Sequence, residues 1–135
     1  MTTRAEITNA LIQKILDGSL TQPIKWPNAP FTQPENSVWL MVSIMQGNSD
    51  SVTLAETDVI TGILQIDIYQ PKLSGRNEAY TVANTIENLF TKKLPILVNN
   101  DKLWTLSVSA GNGQDEKDWY RHKIEITFKI YLARK

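Results

Sequence analysis

The sequence predicts one α+β domain over residues 1–135, with a mainly antiparallel, mixed sheet and two helices packed on one of its faces. Two separate segments repeat apolar residues at helical spacing, whereas other segments alternate apolar and polar residues as strands do. The connections between neighbouring strands have hairpin length, which favours antiparallel pairing. The predicted order is α-β-β-β-α-β-β-β.

The composition is that of a globular chain with one core. A length of 135 residues, 41% of them hydrophobic and 21% charged, suffices for one core and not for two. Fourteen basic residues balance fourteen acidic ones, so we expect no nucleic acid binding. The same balance permits identical copies to associate. Cysteine is absent and no apolar run approaches the ~20 residues of a membrane span, so we expect neither thiolate chemistry nor a membrane partner.

Two helices are predicted, over about residues 3–17 and 76–92. Thr3 and Glu6 have capping-box spacing at the start of the first helix. Gly18 is expected to end that helix in a left-handed conformation. The apolar faces are expected to contain Ile7, Leu11 and Ile15 in the first helix, and Ala79, Val82, Ala83, Ile86, Leu89 and Phe90 in the second.

Six strands are predicted, over residues 38–45, 52–56, 59–69, 96–98, 103–109 and 119–133. Turn-forming residues at 47–50 separate the first two, and a loop at 110–118 precedes the last. Gly62 marks a bulge or a close backbone approach. Strict alternation places Leu103 and Val108 on opposite faces of their strand. In the last strand alternation predicts a buried face with Ile124, Ile126, Phe128, Ile130 and Leu132.

Four prolines between residues 22 and 34 exclude a regular helix and a central strand. This segment is therefore predicted to cross the domain as an extended connector. Trp26 and Phe31 within it have two possible roles. They pack on the core of their own chain, which is the favoured interpretation, or they anchor a neighbouring subunit.

The sequence contains no recognisable catalytic or ligand-binding pattern, so we expect a protein that is not an enzyme and has no cofactor or metal. His122 stands between two cations and is expected to be a surface residue without histidine or carboxylate partners at metal-ligand spacing. Residues 111–113 lack the third glycine and the following helix of a dinucleotide-binding loop. A solvated hairpin tip is the expected role of the one acidic cluster, Asp115, Glu116 and Asp118 with Lys117 among them.

Short segments in a distinctive order support a family resemblance. They are the N-terminal helix, residues 26–31, residues 61–68, Gly75 with the Ala83-bearing helix, and Gly113-Gln114 followed by Trp119-Tyr120-Arg121. In this order, and over nearly the whole chain, the sequence resembles the phage tail terminator-like proteins of long-tailed phages and prophages.

The resemblance implies a small α+β subunit that assembles as a ring, commonly a hexamer. The ring caps the tail tube and offers the surface that joins the head. The implied partners are further copies of the chain, the tail tube protein and a head-completion or neck protein. The implied location is the virion tail, with assembly in the bacterial host cytoplasm, and the family contributes no catalytic residues.

The predicted loops at 47–51 and 110–118 project from the domain and are the candidates for such contacts. Polar turns of this kind also occur on surfaces that contact no partner. The predicted contacts with other subunits or partners are Trp26, Asn28, Phe31, Asn48, Asp50, Gln114, Asp115, Glu116, Lys117 and Asp118.

Two alternative functions remain open at the level of sequence. A neck or head–tail connector subunit has the same size and fold class and also assembles as a ring. A small ligand-binding domain requires a pocket in which Trp104, Trp119 and His122 converge.

Overall fold

The computed structural model describes residues 2–18, 20–35, 37–51, 57–72, 77–91, 95–111, 113–116 and 119–133. For residues 48–51, 57, 77, 116 and 133 it describes the backbone only. The predicted α+β class is confirmed: two helices accompany a mixed sheet of seven strands that is curled into nearly half a barrel.

The described helices are α1 (Arg4–Leu16) and α2 (Asn77–Phe90). The described strands are β1 (Ile24–Lys25), β2 (Trp39–Ser51), β3 (Thr57–Pro71), β4 (Ile96–Val98), β5 (Asp101–Ala110), β6 (Gln114–Glu116) and β7 (Trp119–Ala133). Two of these, β1 and β6, are short strands that the sequence pattern did not predict. The predicted strand over 52–56 lies outside the described residues.

Helix α1 begins with the predicted capping box. The Thr3 hydroxyl accepts the backbone N–H of Glu6, and the Glu6 carboxylate accepts the N–H of Thr3 at 2.9 Å. The predicted left-handed cap at Gly18 is wrong, because its φ lies outside the left-handed range. The Gly18 N–H instead donates to the carbonyl of Ile15, and the absence of a side chain leaves room for Leu89 of α2.

One apolar cluster joins the helices to alternate strand positions. The predicted faces of both helices and of β7 are confirmed as its components, with Ala83 and Leu89 at its margin. The strand face that carries this cluster is called the inner face here, and the opposite one the outer face. Burial of this continuous surface is the main stabilising term of the fold.

The long strands β3 and β7 lie at the centre of the sheet, in the order β1-β2-β3-β7-β5-β4. All pairs are antiparallel except β1 with β2, where Ile24 lies opposite Leu40. Both flanking strands are short, so β2 beyond Met41 and β5 beyond Leu103 have no described partner on their outer edge.

The curl of the sheet coincides with a row of irregular positions. Strand β2 contains a bulge between Gln46 and Ser49, and the predicted turn at 47–50 is therefore wrong. In the same row Gly62 lies between Gln46 and Phe128, with the Phe128 ring over it. Bulges bend a strand and increase its twist, so residues with turn propensity here curve the sheet instead of ending the strand.

A second bulge, at Leu106, interrupts β5 between Thr105 and Ser107 in the same part of the sheet. It corrects the predicted alternation, because Leu103 is buried and Val108 also packs against the core. The two residues are five positions apart, so regular alternation would place them on opposite faces. One extra residue returns both to the inner face.

The predicted loop at 110–118 is largely paired, which corrects that prediction. The Gly111 N–H donates to the Lys123 carbonyl at 2.8 Å. Further along, Gln114 pairs with Arg121 and Glu116 with Trp119. Strands β5 and β6 therefore follow β7 almost as one bent strand, and the β6–β7 hairpin forms one end of the sheet.

Candidate interaction surface

The proline-rich segment contains the short strand β1 and a turn at residues 27–28, and it packs against its own chain. Trp26 is half-buried against the core, and Phe31 lies 5.3 Å from Trp39 between ring centroids. Trp39 in turn stacks on Tyr69 at 4.2 Å with an interplanar angle of 6°. Both rings therefore pack against their own chain, Trp26 on the core cluster and Phe31 on Trp39. A role for them in subunit contacts stays a prediction.

Asn28 lies in a turn of this segment, is exposed and has φ 53°. Asparagine tolerates this left-handed conformation better than most residues. The side chain is accessible to a partner, so its predicted contact role remains open.

The predicted contact residues of the first loop lie in strand β2 and not in a turn. Asn48 belongs to the bulge, and Asp50 pairs through its backbone with Val59. Their side chains are outside the described part of the structure. Because a bulge re-aims the chain at the edge of a sheet, this position remains a candidate for contacts.

The predicted contact residues of the second loop lie in the β6–β7 hairpin. Gln114 is exposed and accepts a hydrogen bond from Arg121 Nη2 at 3.4 Å. Asp115 is exposed, and Glu116 is described through its backbone. Lys117 and Asp118 lie outside the described residues.

Gly113 in the same hairpin has a local packing role. A side chain there would collide with the ring of Tyr120. The Gly113-Gln114 and Trp119-Tyr120-Arg121 segments of the family resemblance therefore meet across one hairpin.

The aromatic ligand pocket considered from the sequence does not form. Trp104 pairs with Lys129, ten positions along β7 from Trp119, and Trp119 packs edge-on against Trp39 at 6.0 Å. At about 3.3 Å per strand residue, this separation exceeds the reach of any small ligand. His122 points to the inner face, whereas Trp104 lies on the outer face.

His122 is 9% exposed, so the prediction of a surface residue is wrong. It occupies the inner-face register of β7, and the rings of Tyr80 and Tyr120 lie 5.5 and 4.9 Å from it. Alternation along β7 contained this signal, but the flanking cations obscured it. The contact with Tyr80 of α2, which helps to bury His122, could not be predicted from the sequence.

An exposed cluster that the sequence did not predict lies on the outer face of β5 and β7. It contains Lys102, Trp104, Lys129 and Tyr131, and is called the Trp104 patch here. Lys102 pairs with Tyr131 and Trp104 with Lys129, so two aromatic rings and two ammonium groups alternate in a square. Trp104 is 37% and Tyr131 39% exposed. The Lys129 ammonium lies 5.4 Å from the centroid of the Tyr131 ring.

The electrostatics of the patch leave its positive charge available. Among the described residues, neither Lys102 nor Lys129 has a carboxylate within ion-pair distance. Further along β7, Lys123 does form an ion pair, with Glu125 at 2.8 Å. Alternation predicted an outer position for Lys129, but finding the square required the register of β5 against β7.

An apolar cavity of about 320 Å³ extends the outer face beside the patch. Met45, Ile63 and Thr127 contribute to its lining, and Met45 is 60% exposed. Thr61, also in the lining, is paired with Lys129 of the patch. Contiguous exposed apolar surface of this kind is typical of protein–protein contacts.

The Glu6 carboxyl group at the start of α1 has a shifted pKa. Hydrogen bonds from the Asn99 side chain and then from Thr3 stabilise the ionised form of Glu6 and lower its pKa. Asn99 has φ 57° in the turn between β4 and β5. This contact joins the start of α1 to the edge hairpin and has a structural role.

Within the described ranges no three His, Cys, Asp or Glu side chains gather into a potential metal site. Neither of the described helices has the length and hydropathy needed to span a bilayer.

The structure is that of a small α+β protein whose outer sheet face exposes aromatic, cationic and apolar side chains. The family model for phage tail terminator proteins matches residues 6–128. The chain therefore belongs to the phage tail terminator protein family, a family of structural tail components. This confirms the resemblance seen in the sequence and assigns the chain to the tail of the virion.

Solved structures also resemble the chain, and one of them matches with a TM-score of 0.77. The match covers 95% of each chain at 20% sequence identity, so it supports the fold alone. No curated protein matches the chain.

Proposed function

We propose that the chain assembles as a homo-oligomeric ring, most simply a hexamer, that caps the tail tube and provides the surface to which the head joins. The single observation that carries this proposal is the family match over residues 6–128. In this role the protein works by presenting surfaces and not by catalysis, with the tail tube protein and a head-completion or neck protein as partners. Assembly takes place in the cytoplasm of a bacterial host, from a phage or prophage gene.

The shape of the sheet supports assembly into a ring. A ring needs a heterologous contact, in which one patch of a subunit meets a different patch of the next. The two unpaired edges, of β2 and of β5, lie at opposite sides of the sheet. Opposite and different surfaces of this kind suit head-to-tail contacts, whereas a two-fold dimer needs one self-complementary patch.

The exposed outer face supports contact with large partners. Trp104, Tyr131 and Met45 are all more than a third exposed on this face. Aromatic residues and methionine are enriched where proteins meet. A partner that covers these three side chains in the assembled particle gains the free energy of removing their apolar surface from water.

The experiment is removal of the gene from a phage or inducible prophage that encodes the chain. We expect separate filled heads and unjoined tails in electron micrographs, and restored joining when the purified protein is added to the lysate. Normally joined particles in the absence of the protein would contradict the proposal. Particles in which heads are still joined to tails, but the attachment to the tail tube is altered, would instead indicate the connector role.

A further inference from the structure

We propose that neighbouring copies of the chain join edge to edge, with β5 of one copy paired to β2 of the next in a continuous antiparallel sheet. The inference rests on the proposed ring assembly and specifies its subunit contact. The paired stretches are residues 107–110 of β5 and residues 42–45 of β2. The register places Val108 opposite Ile44 of the next copy.

Strand β2 directs backbone hydrogen-bonding groups away from the sheet in its stretch. The N–H of Leu40 donates to the Pro23 carbonyl on the outer side of β2. Because these groups alternate along a strand, the N–H and carbonyl of Val42 and of Ile44 point to that same side. Strand β1 ends before this point, so no described strand pairs with them there.

Strand β5 does the same at the opposite side of the sheet. The Gly111 N–H donates to the Lys123 carbonyl of β7. Alternation then turns the N–H and carbonyl of Val108 and of Ala110 away from β7. No described strand pairs with them on that side either. Rows of backbone groups without a strand partner are templates for the addition of another strand.

The two stretches lack the side chains that protect a free edge. Natural edge strands carry charges or prolines against unwanted pairing, whereas residues 42–49 and 104–111 contain neither. Each stretch has one partly buried apolar residue at the margin of the core, Ile44 in β2 and Val108 in β5. Pairing places these two side chains together and extends the inner face from one copy to the next.

Exposed apolar side chains lie beside the same stretches on both edges. Met45 is 60% and Leu106 55% exposed. In the proposed register Met45 of the next copy lies opposite Ser107, in the part of β5 that also exposes Leu106 and Trp104. The contact therefore removes apolar surface from water in addition to forming backbone hydrogen bonds.

Ile44 and Val108 lie at the same level of the sheet. Ile44 is opposite Leu64 of β3, and Leu64 is opposite Ile126 of β7. Val108 of β5 is in turn opposite Ile126. Pairing Val108 with Ile44 of the next copy continues this row without a step along the strands. Rotation alone can repeat such a contact, as a closed ring requires, whereas a contact that does not close builds a filament.

The direction of the strands favours a second copy as the occupant. Three antiparallel pairings separate β2 from β5, so these two strands run in opposite directions. A neighbour in the same upright orientation therefore presents its β2 antiparallel to β5. The zero net charge of the chain adds no general repulsion between copies. The competing occupants are β2 of a two-fold related copy and an edge strand of another tail protein.

Disulfide crosslinking tests the contact, since the chain has no cysteine of its own. In the proposed register Ser109 lies opposite Ser43 of the next copy in a non-hydrogen-bonded pair. The Cα atoms of such a pair are about 4.5 Å apart, which suits a disulfide. Within one chain these serines are separated by three strand spacings, about 14 Å, which is too far. Each disulfide between these positions therefore joins two copies.

We expect a chain with Ser43→Cys and Ser109→Cys to form, on oxidation, a ladder of covalent multimers up to the ring size in non-reducing denaturing electrophoresis. Each single variant should remain at the monomer mass. The matched control combines Ser43→Cys with Ser107→Cys, two residues out of register, and should crosslink at no more than about a tenth of the rate. Dimers of the Ser43→Cys variant alone would show two-fold pairing of β2, and an equal ladder from the control would refute the register.

A second variant blocks the edge without disturbing the pairing inside the chain. Ala110 is exposed and its N–H points away from β7, so Ala110→Pro removes a donor that only the next copy uses. This variant should need at least about tenfold more protein to form rings in native mass spectrometry. Circular dichroism should show the wild-type fold. Ala110→Ser, which keeps the N–H, should assemble normally.

The outcomes separate this contact from the proposed function. Wild-type rings without crosslinks in the Ser43→Cys and Ser109→Cys chain, or normal assembly by Ala110→Pro, would overturn the edge contact and leave the proposed function standing. Normal Ala110→Pro rings that no longer bind tail tubes would assign the β5 edge to another tail protein. A wild-type chain that never forms rings would overturn the proposed function itself.

Discussion

At the scale of single residues, Gly62 shows how closely the strands approach in the curved region. A Cβ atom there would lie 2.5 Å from the Met45 carbonyl oxygen and 2.5 Å from Phe128 Cζ. Real contacts are never this short, so a side chain forces the backbone of β2 or the buried Phe128 ring to move. The sequence indicated a bulge or close approach here, and the close approach is confirmed.

We therefore expect Gly62→Ala to lower the free energy of unfolding by about 1–3 kcal/mol, the usual cost of overpacking. Urea denaturation followed by tryptophan fluorescence measures this loss. The control is Gly111→Ala, where the added Cβ lies an ordinary 3.6 Å from the Lys123 carbonyl. Its effect should stay within about 0.5 kcal/mol, and equal losses for the two variants would refute the packing argument.

Glu6 makes stability depend on pH. Its pKa in the folded chain lies below the ordinary value of 4.5, so its contribution is fully present above that value and is lost as the pH falls through the lowered folded pKa. Glu6→Gln should therefore lose less stability than wild type between about pH 5 and about pH 3. Thermal unfolding across this range measures the difference. The control is Glu35→Gln, which replaces an exposed carboxyl outside the helices and should keep the wild-type acid sensitivity. Identical profiles of stability against pH for wild type and Glu6→Gln would exclude the capping effect.

At the scale of elements, the sequence predicted what local chemistry controls. The capping box and the faces of α1, α2 and β7 were predictable because spacing and short-range hydrogen bonds determine them. The bulge at Leu106 was not, since the local pattern alternates regularly. The long-range demand that Leu103 and Val108 share the core overrides that pattern.

The bulge explanation predicts different effects for two single-residue deletions, one in β5 and one in β7. Deleting Leu106 leaves Leu103 and Val108 four positions apart on the inner face of a regular strand, so the chain should fold with a loss below about 2 kcal/mol. Deleting Glu125 from the regular strand β7 turns the buried Ile124 or Ile126 away from the core and should cost about 2–5 kcal/mol, as removal of a buried apolar side chain does. Chemical denaturation distinguishes them, and a larger loss for the Leu106 deletion would contradict the assigned bulge.

The candidate contact surface also combines features that the local sequence predicts with features that depend on long-range contacts. Local sequence placed Gln114, Asp115 and Glu116 in a polar hairpin, and two of these side chains are exposed as expected. The Trp104 patch is assembled from two strands that lie far apart in the sequence. Its four residues become neighbours only through the register of β5 on β7, which no short-range pattern encodes.

At the scale of the whole molecule, Trp104 is expected to matter for assembly and not for folding. It is 37% exposed in the single chain, so Trp104→Ala should lower the free energy of unfolding by only about 1 kcal/mol and leave the fold intact. Aromatic anchors at contact centres cost about 2 kcal/mol or more when truncated, so the variant should assemble at least about tenfold more weakly. Light scattering over a dilution series measures this. Leu16→Ala, at an apolar position on α1 that is 54% exposed, should assemble normally. Loss of the fold in Trp104→Ala would argue against a purely intermolecular role.

The central claim is that copies of this chain form a ring at the end of a phage tail tube. The most direct measurement is the native mass of the purified wild-type protein, combined with electron micrographs of its mixture with tail tubes. The account predicts one closed assembly with a whole-number multiple of the 15.3 kDa subunit mass, and rings on the tube ends. A protein that remains monomeric at all concentrations and never decorates tube ends would contradict it.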